Sequence, residues 1–173
     1  MKQSRREFFL RFSRRKSGFL PLAPYNSNRS LFLEFCKTCK DKPCLESCTK
    51  ALKKDSGILK FVENCVIVDF SECGCILCGE CAKVCENGVL DSSLAESGKA
   101  NWNFKLKILD SCLSYQKTMC FTCKDICASV LGRENAIKFY GMFYPEIMDN
   151  CINCGECVSV CPVKAITFAE VES

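Results

Sequence analysis

Apolar residues in this chain come in short runs separated by polar turns. Trp102, Phe104, Leu106 and Ile108 alternate with polar neighbours, which is the two-residue period of a half-buried strand. Residues 58–70 (ILKFVENCVIVDF) and 136–147 (AIKFYGMFYPEI) each carry strand-forming residues on both sides of a turn former, Asn64 in one and Gly141 in the other. Each stretch predicts a hairpin. Residues 165–168 (AITF) predict one more short strand. The polar, glycine-containing residues 91–101 (DSSLAESGKAN) separate the two hairpin regions and are the expected domain boundary. No run approaches the roughly 20 consecutive apolar residues that cross a bilayer.

Composition adds chemistry to this pattern. Of 173 residues 18 are cysteine and none is histidine, a cysteine density found in disulfide scaffolds and metal sites. Compartment separates those two classes. The segment SRREFF near the start resembles a twin-arginine export motif, but Arg11, Arg14, Arg15 and Lys16 stand where an export signal places its apolar run, and no small-residue cleavage site follows. The expectation is a cytoplasmic protein, whose reducing surroundings favour thiolates over disulfides. Zinc sites often mix sulfur with imidazole, whereas all-sulfur ligands in compact quartets point to iron–sulfur clusters.

Four such quartets can be read. Cys151, Cys154, Cys157 and Cys161, followed by Pro162, form the C-x2-C-x2-C-x3-C-P run of bacterial ferredoxins. Gly155 lets backbone amides approach the inorganic sulfides. Cys75, Cys78, Cys81 and Cys85 repeat the spacing with Gly79, although Glu86 replaces the proline, which supplies no ligand. Cys36, Cys39, Cys44 and Cys48 read C-x2-C-x4-C-x3-C, with a loop enlarged around Pro43. Cys112, Cys120, Cys123 and Cys127 complete a fourth quartet if the SYQKTM insert bulges outward, since long loops between ligands are tolerable. Cys65, inside an apolar run, is expected to be a buried small hydrophobe. Cys73 could replace Cys75, but the regular register begins at Cys75.

The quartets pair across the two hairpin regions, so the chain is an internal repeat. The expected architecture is α+β: two tandem bacterial-ferredoxin-like domains with short hairpins and short helices around the clusters. A basic N-terminal arm covers residues 1–30, the first domain 31–98 and the second 99–173. Such small units bury little apolar surface, so metal ligation should supply much of their folding free energy, and the metal-free protein should be largely disordered.

Charge is local. Seven of the 24 Lys and Arg fall in the first 16 residues against one acid, leaving 17 basic and 19 acidic groups in residues 17–173. Each oxidised cubane with four thiolates adds about −2 more. The arm could form an amphipathic helix through Phe8, Phe9 and Phe12 against a partner or an anionic surface, or stay solvated. An acidic body beyond one short arm points away from nucleic acid. Neither a nucleophile–base arrangement nor a phosphate loop is present, which points away from an enzyme.

On SRREFF, the W-x-F-x-L-x-I strand, the CLSYQKTMCFTCKDIC stretch and the closing CINCGECVSVCPVKAIT, the chain resembles the NapF family, ferredoxin-type accessory proteins of the periplasmic nitrate reductase system. The resemblance covers most of the chain. It departs at the four-residue gap between Cys39 and Cys44, where the family usually has two. It implies a cytoplasmic protein with several 4Fe-4S clusters that associates with the molybdenum-containing catalytic subunit before export and acts in its maturation, through electron transfer or cluster assembly. The analogy with bacterial ferredoxins also implies exchanged ligands, the fourth cysteine of each run serving the other cluster. Cys36, Cys39 and Cys44 would then take Cys85, and Cys75, Cys78 and Cys81 would take Cys48. In the second unit Cys112, Cys120 and Cys123 would take Cys161, and Cys151, Cys154 and Cys157 would take Cys127. A general electron-transfer module serving other redox proteins, and a zinc-binding scaffold, stand as the alternatives.

Overall fold

The computed structural model describes residues 19–132 and 134–171. The arginine-rich segment and the helix expected around Phe8, Phe9 and Phe12 lie outside the described residues. The described part is α+β, with short helices and three two-stranded antiparallel sheets. Helix α1 (Arg29–Leu31) continues as a π-helix (Phe32–Cys36) and is followed by α2 (Pro43–Leu52), β1 (Leu59–Val62), β2 (Cys65–Val68), α3 (Glu80–Lys83) and α4 (Ser92–Glu96). Then come β3 (Phe104–Ile108), α5 (Thr122–Leu131), β4 (Ile137–Tyr140), β5 (Tyr144–Ile147), α6 (Glu156–Val160) and β6 (Ile166–Glu170).

Both expected hairpins form. Glu63 and Asn64, at φ 51° and 64°, make a two-residue connection between Val62 and Cys65, because two left-handed residues match the twist of the flanking strands. The second hairpin pairs Tyr140 with Tyr144 across three residues beginning at Gly141, which takes φ 64°. The alternating run at 104–108 becomes β3 and pairs with β6, Leu106 opposite Phe168, so the strands before and after the second hairpin close its unit. The expected boundary holds a short helix, α4, capped by the Asp91 side chain, which accepts from Ser93 N–H at 2.8 Å.

The structure corrects the arm at its inner end. Residues 19–26, assigned to the arm for their place in the chain, are packed into the body. Phe19, Leu22, Ala23 and Tyr25 are buried, Val68 N–H donates to Pro21 O at 2.9 Å, and Ala23 N–H donates to Val66 O at 3.2 Å. The segment thus borders β2 like an added strand. On its other edge it meets the second half, where Asn103 holds it at Leu20 and Leu22, donating to Leu20 O and accepting from Leu22 N–H. The physical reason is composition: residues 19–25 (FLPLAPY) are apolar and proline-rich, unlike the charged residues before them.

The two repeats share one continuous core. Phe70, fully buried, leads from the first repeat into a group of rings with Trp102, Phe104 and Phe168, at centroid separations of 5.6–6.2 Å. Edge-on and tilted ring pairs of this kind add to the burial itself. Gly155 shows how close the approach is: it adopts φ 81°, and a Cβ there would run into the Phe70 ring. Sequence reasoning assigned Gly155 to sulfide approach; the space its side chain would occupy is taken by Phe70.

Candidate metal centres

Each repeat places its cysteines with one long helix, one short helix and two loops. On α2, Cys44 and Cys48 are four residues apart and so lie on one face, one turn of about 5.4 Å from each other. On α5, Cys123 and Cys127 repeat that arrangement. Cys81 sits on α3 and Cys157 on α6, while Cys85 and Cys161 follow those helices. Because each long helix packs against the short one, α2 on α3 and α5 on α6, one turn of helix separates two destinations for sulfur.

Four cavities result. The first is lined by Cys36, Cys39, Cys44 and Cys85. The second is lined by Cys48, Cys75, Cys78 and Cys81. Cys112, Cys120, Cys123 and Cys161 line the third, and Cys127, Cys151, Cys154 and Cys157 the fourth. The structure therefore brings together all sixteen cysteines of the quartets, in the crossed sets rather than in sequential ones. Cys65 is buried in β2 and Cys73 is buried beside the second loop; neither lines any of the four cavities. The SYQKTM insert at 114–119 folds outward as the fourth quartet requires. Thr118 N–H donates to Leu113 O at 2.9 Å, fully buried Ser114 donates through Oγ to Cys120 O at 2.8 Å, and Tyr115 Oη donates to Pro145 O at 2.9 Å. That loop closes Cys112 onto Cys120 despite seven intervening residues.

Backbone amides aim at the sulfurs in matching places of the two repeats. Leu77 N–H points to Cys75 Sγ and Asn153 N–H to Cys151 Sγ, both at 3.4 Å. Leu77 and Asn153 reach those positions only by adopting left-handed backbone, at φ 55° and 53°. Leu90 N–H lies 3.3 Å from Cys85 Sγ and Ala165 N–H 3.2 Å from Cys161 Sγ. Such donors stabilise a thiolate over a thiol.

Without a cation, burial works the other way. It pushes the Cys36 thiol up to about 11 and those of Cys44, Cys75 and Cys123 up to about 12, with the charges of neighbouring cysteines adding to the effect. The neighbours that raise Cys44 are Cys85, Cys36 and Cys39, the other members of its cavity. Four anionic sulfurs in so small a space require a positively charged guest. Among the described residues, no three or more His, Cys, Asp or Glu close on a point as one metal ion needs. Four sulfurs spaced around a cavity, with amides directed at them, suit a polynuclear cluster.

The second and fourth cavities meet. Cys75 N–H donates to Cys154 O at 2.6 Å, and Gly74 N–H donates to Glu156 Oε2 at 2.6 Å. Gly74 allows this contact, since a Cβ there would lie 2.6 Å from that carboxylate oxygen and 2.8 Å from Cys154 O. Trp102 Nε1 donates to Ile152 O at 2.8 Å and Leu106 N–H to Asn153 Oδ1 at 3.0 Å, holding the same loop from the other side. Sequence reasoning missed Gly74, Glu156 and Tyr25, which lines the second cavity. The glutamate after each ligand-loop glycine was the available signal, but Glu80 in the matching place pairs with Lys83 instead.

Comparisons with known proteins agree with this chemistry. Residues 144–167 match the model of the 4Fe-4S binding domain. The chain is similar to the ferredoxin-type protein NapF of Escherichia coli (strain K12), 28% identical over 163 residues that cover 91% of this chain and 88% of the relative. NapF of Haemophilus influenzae is 31% identical over 144 residues, covering 64% of this chain and 77% of the relative. The ferredoxin-type protein NapG of Escherichia coli (strain K12) is 26% identical over 165 residues, covering 87% and 69%. No solved structure matches. With its cysteines gathered for iron–sulfur binding and its length shared with these relatives, the chain belongs to the NapF family of ferredoxin-type iron–sulfur proteins.

Proposed function

We propose that the protein is an electron-transfer accessory holding four 4Fe-4S clusters in two tandem ferredoxin-like units, and that it serves the molybdenum-containing catalytic subunit of periplasmic nitrate reductase in the cytoplasm before export. The ligand sets are those of the four cavities. When bound, the clusters supply one-electron transfer at potentials tuned by hydrogen bonds and burial. The observation that carries the reading is the order of the cavities. Cys44 and Cys48 join the first to the second through one turn of α2. The Cys75–Cys154 hydrogen bond joins the second to the fourth, and Cys127 and Cys123 join the fourth to the third through one turn of α5. A continuous line of four sites with two ends suits passage between two partners.

The chain's own residues keep the middle of that line packed. Phe70, Trp102, Phe104 and Phe168 fill the joint between the repeats, and the segment at 19–26 covers its other side. The nitrate reductase assignment rests on family membership, and a general electron-transfer module is the second reading. Anaerobically purified protein should contain iron and labile sulfide in nearly equal amounts, about four of each per cluster site. Colourless, zinc-rich protein would overturn the cluster reading. Capture of the catalytic subunit from cytoplasm, with inactive subunit accumulating when this protein is missing, is the expected result for the accessory role; normal activity and no complex would leave only the general module.

A further inference from the structure

Tyr25 lies in the segment at 19–26 and is almost wholly inaccessible to solvent. Three features set it apart. Its hydroxyl is the sole buried side-chain nitrogen or oxygen among the described residues with no hydrogen-bond partner. Its backbone is left-handed at φ 63°, an outlier for a bulky aromatic residue. Its side chain lines the second cavity together with Cys48, Cys75, Cys78 and Cys81. A buried hydroxyl without a partner costs about 1–3 kcal/mol, and strained backbone adds to that cost, so both persist only where something compensates.

The surroundings hold the strain in place. Tyr25 O accepts from Asp91 N–H at 2.7 Å, Asn26 Nδ2 donates to Ala23 O, and Asn101 Nδ2 donates to Asn26 O at 2.9 Å. The ionisable groups that act on the phenol are Cys75, Cys81 and Cys78, all from that one cavity. We infer that Tyr25 is a tuning residue for the cluster of the second cavity, its hydroxyl donating a hydrogen bond to a cluster or cysteine sulfur and so favouring the reduced state. This rests on the reading that the second cavity holds a cluster.

A donor to sulfur stabilises the extra negative charge gained on reduction, so its removal should lower one potential and leave the others. The experiment uses the full chain, purified anaerobically, as wild type, Tyr25→Phe and Cys78→Ser, with iron and sulfide quantitation and redox titration followed by electron paramagnetic resonance. Tyr25→Phe should keep the full iron content. At the wild-type midpoint of one cluster its reduced-to-oxidised ratio should fall about tenfold, which is about 59 mV for a one-electron couple. Full iron with every midpoint unchanged would overturn the inference. If Tyr25→Phe sheds iron, 3-fluorotyrosine at position 25 replaces it as the test: a stronger donor should raise the same midpoint, and an unmoved midpoint overturns the proposal. Iron unchanged in Cys78→Ser sinks the reading of the second cavity, a failure distinct from that of Tyr25.

Discussion

The first cavity measures about 410 Å3 and is rimmed by Lys40, Asp41, Lys42, Glu86 and Asn87. The fourth measures about 10 Å3 and is walled by Leu106, Ile126, Ala136, Ile137 and Ile152 around its cysteines, with Glu156 the one charged residue in its lining. Both present four sulfurs, so ligand number is the same while enclosure is not. The difference begins in the loop between Cys39 and Cys44, two residues longer than the Cys151–Cys154 and Cys154–Cys157 loops of the fourth cavity. Lys42 turns that loop into α2 with left-handed backbone at φ 43°, its ammonium donating to Cys39 O at 3.1 Å and lying 4.1 Å from the Phe61 ring centre. On the other side Cys36 ends a π-helix, a geometry that widens the turn carrying a functional side chain. Spacing thus encodes how many sulfurs converge, and the residues between them set how much water joins. A cluster in the roomier, charged site meets solvent and oxidants more readily than one walled by isoleucine.

The sharpest way to break this contrast is to remove one sulfur at each site. Cys39→Ser should lower iron by about one quarter and leave the rest folded, because its cavity stands at one end of the line. Cys154→Ser should cost more than its share, since a fourth cavity without its full set of sulfurs no longer fixes the loop whose Cys154 carbonyl accepts from Cys75 N–H; iron analysis with circular dichroism distinguishes the two outcomes. Equal losses would mean that the joint between repeats is dispensable.

Phe70→Ala comes next. Emptying the space that Gly155 leaves for the ring should destabilise the loaded protein by about 3–5 kcal/mol in denaturant titration, while first-cavity iron survives longest relative to its neighbours. Gly74→Ala should cost about 1–3 kcal/mol by overpacking against Glu156 and Cys154. Anaerobic denaturant titration would read that effect, and a change within error would mean the contact yields freely. The smallest effect belongs to Lys42→Ala, which removes a cation from an aromatic face and a donor from the loop, about 0.5–1 kcal/mol together. It should hasten iron loss to a chelator from the first cavity alone.

Much of the candidate site is legible in the chain, and for a physical reason. Cysteine spacing is a local constraint: a tight loop wrapping a cluster needs its ligands two or three residues apart, and the alternating run from Trp102 to Ile108 needs no distant partner to be read as a strand. The crossed sets follow from analogy with bacterial ferredoxins, and the structure arrives at them through Cys44 and Cys48 on one face of α2. The seven-residue gap before Cys120 was harder, because its closure depends on Ser114 and Tyr115 finding Cys120 and Pro145. Residues 19–26 were illegible as core. Their apolar character is plain, but their adjacency to arginines concealed it.

What the order of residues settled is the inventory: sixteen sulfurs in four groups, two hairpins, a strand before and after the second, and a repeat that joins them. All of these follow from short-range chemistry. The shared core was settled in space, where Phe70 enters the gap left by Gly155, Cys75 meets Cys154, and Tyr25 comes to rest beside the second cavity. Those contacts join residues about 80 positions apart or bring an N-terminal segment onto the first repeat. They depend on shape and on which surfaces remain to be buried after each repeat has closed, and nothing in the local pattern of the chain carries that information.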